Sequence, residues 1–532
     1  MNAFLFQLVA PEINFPLILP ELIVATVGAI IMLYDCFFPN QRQTTGAVSL
    51  LGLGAAAVAA IWLWTNGGSV DASRDFNGMI AFDGLRLSFT LVFIIVTALT
   101  ILISTVWVEN EDLPAGEYHA LLLFATVGMM LMASGNDLVM IFIGLETLSI
   151  ATYVLAGLRR TDLRSNESAL KYFILGSFSS AFLLYGMALI YGGTGTKTGL
   201  AGVTNITEIG TRVVEGNLQF PALLLVGAAL MLIGFGFKIA AAPFHVWTPD
   251  VYEGAPTPIT SLLATGSKAA GFAAFLRVFI FAFPFVAATS ATLNTASSQV
   301  HEAWLTALIL MAGLTMIVGN VAAIVQNNVK RMLAYSSIAH AGYALVGFIG
   351  AGVASNAAKR EDAIASVAFY MLSYAVTSLG AFAIVTLIAQ KGDRRTEFED
   401  YVGIGFKSPL LAFSLSLFML SLFGIPLTAG FMGKVLVFRP ALESADSNPN
   451  LYLLVIFAVI NTAISAYYYL RLIVVMFFRE RSTEWVSPRV PTSLAIVLVL
   501  TVLGVFYFGI FGNGTFEGFR RQPVKQQVQA VK

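Results

Sequence analysis

Apolar runs of roughly twenty residues recur along the whole chain, and they constrain its fold more than any other feature. A helix needs about 20 mostly apolar residues to cross the hydrocarbon core of a bilayer. Strands of a membrane barrel would be about 10 residues long with alternating polarity. The run length therefore predicts an all-α polytopic membrane protein. About fourteen transmembrane helices are predicted, near 13–37, 45–65, 80–107, 117–134, 136–158, 166–192, 219–246, 256–286, 303–326, 331–353, 363–391, 408–440, 450–478 and 490–512.

The composition supports a lipid environment. Apolar residues make up 57% of the chain and charged residues only 11%, against roughly 25% charged residues in globular proteins. The net charge of zero offers no basic face for nucleic acid. The single cysteine, Cys36, excludes an intrachain disulfide and any cysteine-ligated zinc or iron–sulfur cluster on this chain alone. The N-terminus lacks the pattern of a cleaved secretory signal, so the first run is expected to remain as a spanning helix.

The basic residues indicate an orientation. Loops after odd-numbered runs hold more lysines and arginines than loops after even-numbered runs. Because basic loops stay on the cytoplasmic side during insertion, this bias places the odd loops in the cytoplasm and predicts that both termini are periplasmic. The basic C-terminal tail works against this orientation.

Two runs contain helix breakers next to charge. The seventh reads GFGFKIAAAPFHVW, with Pro243 five residues after Lys238, and the twelfth reads LFGIPLTAGFMGKV, with Pro426 before Lys434. Proline frees backbone groups that, at membrane depth, need protein or a water-filled cavity around them. Because the breaks are five helices apart, a repeated five-helix unit must be inverted, and two inverted repeats with broken helices are typical of transporters. Each proline taken alone is more often a simple kink.

Several ionisable residues fall inside the predicted spans, where one charged side chain costs roughly 2.5–3.5 kcal/mol at the bilayer centre. They are Glu146, Lys171, Lys238, His245, Lys268, His340 and Lys434. Any one of them can be a satisfied ion pair or a side chain that reaches the interface, above all Lys171 and His245 near helix ends. One glutamate cannot neutralise four lysines, so some lysines are expected to exchange protons. The set predicts a proton relay.

Other features favour structural interpretations. His245 follows Lys238 by seven residues, so the two are predicted to lie on the same helix face, two turns apart. Arg277 and Arg471 are interpreted as structural ion pairs, or as contacts to a partner or lipid. The tyrosine run Tyr467 to Tyr469 is interpreted as packing. The glycine-rich stretch YGGTGTKTGLAG has neither a dinucleotide-binding nor a P-loop pattern. No cofactor and no metal are predicted on this chain.

Three segments carry a resemblance to a known family. The first, FKIAAAPFHVWTPDVYEGAPTPITSLLATGSKAAGF at 237–272, joins two lysines through a Pro-Phe-His turn and a proline-rich loop. The others are KRMLAYSSIAHAGY at 330–343 and GLETLSIATYVLAG around Glu146. They resemble the antiporter-like membrane subunits of respiratory complex I and the related Mrp-type sodium/proton antiporters. Within this family the chain is most similar to the N type.

The resemblance implies roles for the buried residues. Glu146 pairs with Lys238 and couples neighbouring subunits, Lys171 modulates that pair, Lys268 is the central relay group and Lys434 lies on the exit side. His245 and His340 are implied as supporting groups. The chain then divides into helices 1–3 (1–112), a first half-channel of helices 4–8 (113–290), a second half-channel of helices 9–13 (291–480), and a last helix with a short basic tail (481–532).

The resemblance also implies the setting. The partners are an M-type antiporter-like subunit, small membrane subunits of the K, J, A and H types, lipid and protons, with no nucleic acid. FMN, iron–sulfur clusters and quinone are implied on other subunits, and the location is a bacterial inner membrane. The chain is then a subunit of an enzyme, a proton-translocating NADH:quinone oxidoreductase.

Three alternatives remain open from the residues. The first is a subunit of an Mrp-type sodium/proton antiporter without a redox partner. The second is a subunit of a related complex, either the ferredoxin-driven photosynthetic relative or a formate- or membrane-hydrogenase complex. The third is a structural membrane scaffold whose lysines are locked in ion pairs.

Overall fold

The protein is described here from a computed structural model that covers residues 14–38, 42–66, 76–283, 295–445, 448–480 and 488–521. The described residues form helices joined by short connections and contain no β-strand, only isolated bridges. The α-helices, in chain order, are α1 Leu19–Phe37, α2 Arg42–Asn66, α3 Gly84–Asn110, α4 Ala115–Ser134, α5 Leu138–Ala156, α6 Leu163–Gly193, α7 Ile206–Glu215, α8 Pro221–Lys238, α9 Thr248–Gly254, α10 Thr257–Leu262, α11 Lys268–Phe281, α12 Thr295–Ile324, α13 Val329–Gly352, α14 Ala357–Ala389, α15 Ile404–Lys407, α16 Pro409–Phe423, α17 Ala429–Glu443, α18 Asn450–Phe478, α19 Thr492–Ile510 and α20 Gly512–Arg520.

Thirteen helices in the described part of the chain are long and apolar enough to cross a membrane. One of them is the continuous stretch Thr257–Phe281, in which a π-helical segment, Leu263–Ser267, joins α10 to α11. The twelfth predicted helix, 408–440, is present as two shorter pieces, α16 and α17. The prediction of an all-α polytopic membrane protein is confirmed.

The predicted break in the seventh run is confirmed, and it lies directly after Lys238. There α8 ends, and turns lead to α9. Two of the backbone groups at the break have partners: the Trp247 indole donates to the carbonyl of Phe237 (2.9 Å), and the Ala242 N–H donates to Thr315 of α12 (2.9 Å). These bonds satisfy backbone groups that a break inside a membrane would otherwise leave unpaired.

The twelfth run breaks differently. Here α16 ends at Phe423, and Gly424 follows with φ +97°, a left-handed conformation that glycine adopts without a steric cost. The freed carbonyls of Leu422 and Phe423 accept hydrogen bonds from Lys434, which lies on α17 (3.0 and 2.8 Å). The ammonium group therefore replaces the backbone donors that a continuous helix would supply.

Two sets of five membrane elements repeat the same backbone contacts. The first set consists of α4, α5, α6, α8 and the continuous α10–α11. The second set consists of α12, α13, α14, the broken pair α16 and α17, and α18. In each set, the segment before the second helix forms an antiparallel bridge with the segment after the third. The N–H to carbonyl bonds are Leu138 to Thr204 and Ile206 to Asn136 in the first set, and Val329 to Thr396 and Phe398 to Asn327 in the second. Because five crossings are an odd number, the second set runs inverted relative to the first.

The first two helices of each set also cross at matching glycines. A Cβ on Gly128 of α4 would lie 2.6 Å from the carbonyl oxygen of Gly144 on α5. A Cβ on Gly319 of α12 would lie 2.8 Å from the carbonyl oxygen of Tyr335 on α13. Both contacts are too short for any side chain, so the helices approach this closely only because the residue is glycine.

Candidate functional site

The first group of intramembrane polar residues lies where α5, α6 and α8 meet. Glu146 of α5 is half-buried and accepts a hydrogen bond from the Ser180 hydroxyl of α6 (2.5 Å). Lys238, at the end of α8, is buried and donates to the hydroxyl of Ser149 (3.1 Å), which lies three residues after Glu146 on α5. Residues three apart share a helix face, so Glu146 and the serine that bonds the Lys238 amine are neighbours on α5.

The predicted direct pairing of Glu146 with Lys238 needs correction. Each of the two side chains bonds to a serine instead, and no ion pair joins them among the described residues. Lys238, Ser149 and Ser180 line one small cavity of 10 Å³. About 10–15 Å³ is the least volume that holds one water molecule, so this cavity has room for one water at most beside Ser180 and the amine.

Lys268 is linked to this group through the stem of Lys238. A Cβ on Gly271 of α11 would lie 3.3 Å from Cγ of Lys238. Gly271 follows Lys268 by three residues on the same helix face. The aliphatic part of Lys238 therefore packs within one turn of Lys268, which joins the first group to the centre of the protein.

Lys268 is held by oxygen atoms of α13. Its side chain is buried, and its ammonium donates to the carbonyl (2.6 Å) and to the hydroxyl (2.5 Å) of Ser337. No described carboxylate forms an ion pair with it. Lys268 lies directly after the π-helical segment, and such segments are frequent at functional sites.

His340 lies one turn beyond Ser337 on α13 and bonds two tyrosines. Its Nδ1 lies 2.6 Å from the hydroxyl of Tyr370 on α14, and its Nε2 lies 3.2 Å from the hydroxyl of Tyr469 on α18. The His340 ring centre lies 5.6 Å from that of Tyr343, which Lys434 faces, and Ser337, one turn before His340, bonds Lys268. The histidine therefore lies between the central lysine and the lysine of the second break.

Lys434 is the last of five residues that we call the row, which are Glu146, Lys238, Lys268, His340 and Lys434. Its side chain is buried, its ammonium bonds the two carbonyls at the end of α16, and it lies 4.9 Å from the centre of the Tyr343 ring. This geometry allows a cation–π contact. Like Lys268, it has no described carboxylate within ion-pair distance.

Lys171 and His245 differ from the residues in this row. The Lys171 side chain is 40% exposed and forms 2.7 Å ion pairs with Glu167 and Asp250, so of the two interpretations left open for it the structure has the satisfied ion pair. Since α8 ends at Lys238, the face shared with His245 does not exist. His245 is half-buried in the turns, and its buried Nδ1 has no hydrogen-bond partner among the described residues.

The sequence analysis missed several residues that matter to the site. Tyr469 was interpreted as packing, but it bonds both His340 and Ser336. Ser149 and Ser337, the partners of two lysines, were also missed. The one available signal was spacing: each serine lies three residues from a residue that was singled out, Glu146 or His340.

A second cluster of buried charge was missed entirely, in the loops. Asp393 lies 3.1 Å from both Lys330 and Arg159, and all three side chains are buried. The same carboxylate oxygen accepts the backbone N–H of Thr257 (3.1 Å). We call Asp393, Lys330 and Arg159 the loop clamp, since they join segments from both sets of five elements. Arg277 was interpreted correctly as structural, because it forms an ion pair with Asp83.

The inverted repeats and the row of buried amines define a class, the ion-translocating antiporter-like membrane subunits. The family described as "NADH:quinone oxidoreductase/Mrp antiporter, TM" matches residues 135–465, and the chain belongs to this family. The described residues contain no group of three or more histidine, cysteine, aspartate and glutamate side chains that could hold a metal ion.

Curated relatives match almost the whole chain. NADH-quinone oxidoreductase subunit N of Trichlorobacter lovleyi is 44% identical over 527 residues, which cover 98% of this chain and 99% of the relative. Subunit N 1 of Solibacter usitatus is 42% identical over 506 residues, which cover 94% of this chain and 95% of the relative. The similarity therefore extends beyond the repeated helices to both ends of the chain.

Solved structures share the fold. A chain of respiratory complex I from Thermus thermophilus with bound aureothin is 33% identical, with a TM-score of 0.72, 94% of this chain covered and 98% of that one. A chain of the Mrp complex from Dietzia matches with a TM-score of 0.76, with 96% of this chain and 97% of that one covered. Its identity is only 17%, so it shows the fold alone.

Proposed function

We propose that this chain translocates protons as the N-type subunit of a respiratory NADH:quinone oxidoreductase. The relatives that match it over nearly its full length, at 42–44% identity, carry that name. The proton pathway consists of the row described above, from Glu146 through Lys238, Lys268 and His340 to Lys434.

One observation carries the proposal: Lys238, Lys268 and Lys434 are buried, and their ammonium groups bond only neutral oxygen atoms among the described residues. A charge taken out of water costs several kcal/mol unless a counter-ion is present. Hydroxyl and carbonyl partners do not lock a lysine in its charged form as a carboxylate would. These lysines can therefore give up and accept protons, as a relay requires.

The row divides into two half-channels, 113–290 and 291–480, that meet at Lys268. Lys268 is the central relay group, because it is the first residue of α11 in the first half and its ammonium bonds Ser337 in the second half. His340, with its two tyrosines, passes protons onward to Lys434. Lys434 is the exit-side group, since it bonds the open carbonyls of the second break.

Glu146 is the input and coupling group. It is half-buried, and serines and a small cavity separate it from Lys238. A change in charge beside the exposed part of Glu146 therefore reaches the Lys238 amine through hydrogen bonds. Lys171 modulates this end from the surface by holding Asp250. His245 is a supporting group beside the first break.

The remaining assignments follow from the subunit proposal. The chain lies in a bacterial inner membrane with both termini periplasmic. It contacts an M-type subunit and small membrane subunits of the K, J, A and H types. FMN, iron–sulfur clusters and quinone belong to other subunits, and this chain holds none of them.

Reconstitution tests the proposal. The complex that contains Lys238→Ala or Lys268→Ala is placed in liposomes, and proton uptake is measured with a pH-sensitive dye while NADH is oxidised. Fewer protons per NADH are expected, with unchanged NADH oxidation by a soluble electron acceptor. Lys197→Ala is the matched control, because Lys197 is an exposed loop lysine. Unchanged proton stoichiometry in both variants would contradict the relay.

The two main rivals predict different results. An Mrp-type antiporter would exchange sodium for protons in the same liposomes under an imposed sodium gradient, without NADH. A structural scaffold requires its buried lysines to be held in ion pairs, and the neutral partners of Lys238, Lys268 and Lys434 argue against that role. In a scaffold, the alanine variants would impair assembly but leave the proton stoichiometry intact.

A further inference from the structure

A separate cavity of 380 Å³ lies where α3, α14 and α19 meet, away from the row of buried lysines. Its lining residues fall near the end of α3, near the end of α14 and at the start of α19. Each of these helices crosses the membrane, so the cavity lies at a membrane surface, where apolar helices meet polar loops.

The lining of this cavity is amphipathic. Ile103, Leu387 and Leu494, one from each helix, provide an apolar wall. Lys391 and Arg489 stand on the loop side of the same cavity, both exposed, and no described carboxylate forms an ion pair with either. A cationic rim above an apolar wall is complementary to an anionic headgroup above acyl chains.

One carboxylate, that of Glu111, also lines the cavity. It already accepts the backbone N–H of Gly392 (2.6 Å), so it anchors the loop that carries Lys391. Two cations and one carboxylate leave a rim charge of about +1. That charge suits a monoanionic phosphodiester better than a dianionic inorganic phosphate.

One side chain of the lining carries a buried donor without a hydrogen-bond partner among the described residues. Trp107 of α3 is 5% exposed, and its indole N–H has no hydrogen-bond partner among the described residues. Buried tryptophan N–H groups usually find an acceptor, and each unsatisfied buried group calls for an explanation. The ester and phosphate oxygens of a phospholipid are acceptors of the required kind.

We propose that this cavity binds the headgroup of a monoanionic phospholipid. Lys391 and Arg489 bind the phosphate, Trp107 donates to an ester or phosphate oxygen, and the acyl chains leave along Leu387 and Leu494. The lipid fills the space between the last long helix, α19, and the helices α3 and α14.

A photoreactive phosphatidylglycerol tests the site in the intact complex held in phosphatidylcholine nanodiscs. After illumination, mass spectrometry of peptides from α3, α14 and α19 measures lipid attachment to this chain. Strong labelling is expected, with unlabelled phosphatidylglycerol competing and inorganic phosphate not competing. A photoreactive phosphatidylcholine is expected to label these peptides weakly.

Substitutions assign the contacts. Each basic residue near an anionic lipid surface contributes about fivefold to binding, so Lys391→Gln with Arg489→Gln should lower labelling about 25-fold. Trp107→Phe keeps the ring, removes the N–H and should lower labelling about fivefold. The matched control, Lys407→Gln with Arg479→Gln, removes two exposed basic residues that do not line the cavity and should leave labelling unchanged.

Three results would overturn the proposal. Equal labelling by the phosphatidylcholine probe would show an unselective lipid surface. Competition by inorganic phosphate would show a small-anion site. Labelling that survives both the double substitution and Trp107→Phe would show that neither the rim nor the indole binds the lipid.

Discussion

Two fully buried lysines, Lys330 and Lys268, lie in opposite chemical settings. Lys330 of the loop clamp lies 3.1 Å from Asp393 and also bonds the carbonyl of Ala255. Among the described residues, Lys268 bonds only the carbonyl and hydroxyl of Ser337. Both start with the same desolvation cost, but only Lys330 has a carboxylate to offset it.

The partner of a buried lysine distinguishes a structural lysine from one that can transfer protons in this chain. A buried lysine beside a carboxylate is a fixed charge, and it joins the segments that its bonds connect. A buried lysine among neutral oxygens is a poor source of stability, which makes a role in proton transfer the better explanation of its presence. The comparison therefore predicts that the loop clamp governs folding, whereas the row of unpaired lysines governs translocation.

The largest effect on stability is expected from Asp393→Asn. Removing one partner of a buried ion pair costs about 3–5 kcal/mol, because the remaining charge stays uncompensated. Here Lys330 would be left without its carboxylate, and Arg159 would keep only Asp162, at 3.7 Å. Thermal unfolding of the purified complex, followed by the loss of this chain from it, measures the effect.

The pH dependence of this variant follows from the charge on Asp393. Burial alone raises the pKa of Asp393, but Lys330 and Arg159 bring it below its ordinary value. The clamp's contribution is therefore present at neutral pH and lost only as the pH falls through that lowered value. The stability gap between wild type and Asp393→Asn should therefore persist as the pH falls from 7 to about 5, and should close only at lower pH. A gap that closes within that range would contradict a clamp that is charged at neutral pH.

A matched pair of substitutions tests the comparison directly. Lys330→Met should destabilise the chain by about 3 kcal/mol, since it leaves the buried Asp393 with one cation fewer. Lys268→Met should change stability by about 1 kcal/mol or less, because losing the bonds to Ser337 is offset by removing an unpaired charge. Proton translocation should fail in Lys268→Met, measured in proteoliposomes under NADH oxidation. Equal destabilisation by both changes would remove the distinction.

The helices and the buried lysines could be predicted from the sequence, because both depend on local features. Apolar length predicts a span, and a charge inside a span is visible in the sequence itself. The bonding partners of those charges could not be predicted, because they are set by packing between segments that are distant in the sequence. Glu146 was expected to pair with Lys238, yet each bonds a serine, and Lys171 bonds Asp250, 79 residues later.

The loop clamp shows the same limit. The predicted runs leave Arg159, Lys330 and Asp393 in or next to three separate loops, and these positions gave no sign of burial. A charged loop residue is solvated by default. Only the assembled fold brings the three together and excludes water from them.

A smaller effect is expected from Tyr469→Phe. This change removes one hydroxyl that bonds His340 and Ser336, and leaves the ring in place. A hydrogen bond of this kind contributes about 1 kcal/mol, so proton transfer should slow by about fivefold. Tyr467→Phe is the control, since Tyr467 is 59% exposed. Equal rates in the two variants would place Tyr469 outside the relay.

The smallest effect is expected from Lys171→Gln. Lys171 bridges Glu167 and Asp250 at a side chain that is 40% exposed, and exposed ion pairs contribute about 0–1 kcal/mol. Burial raises the pKa of Asp250, while Lys171 and Arg331 together bring it below its ordinary value. The substitution should therefore move that pKa upward and leave Arg331 to hold the carboxylate (2.8 Å). Proteoliposomes should retain most of their proton translocation. If Lys171→Gln abolished translocation as Lys268→Met is expected to do, pairing with carboxylates would not separate structural from relay lysines, and the comparison itself would fail.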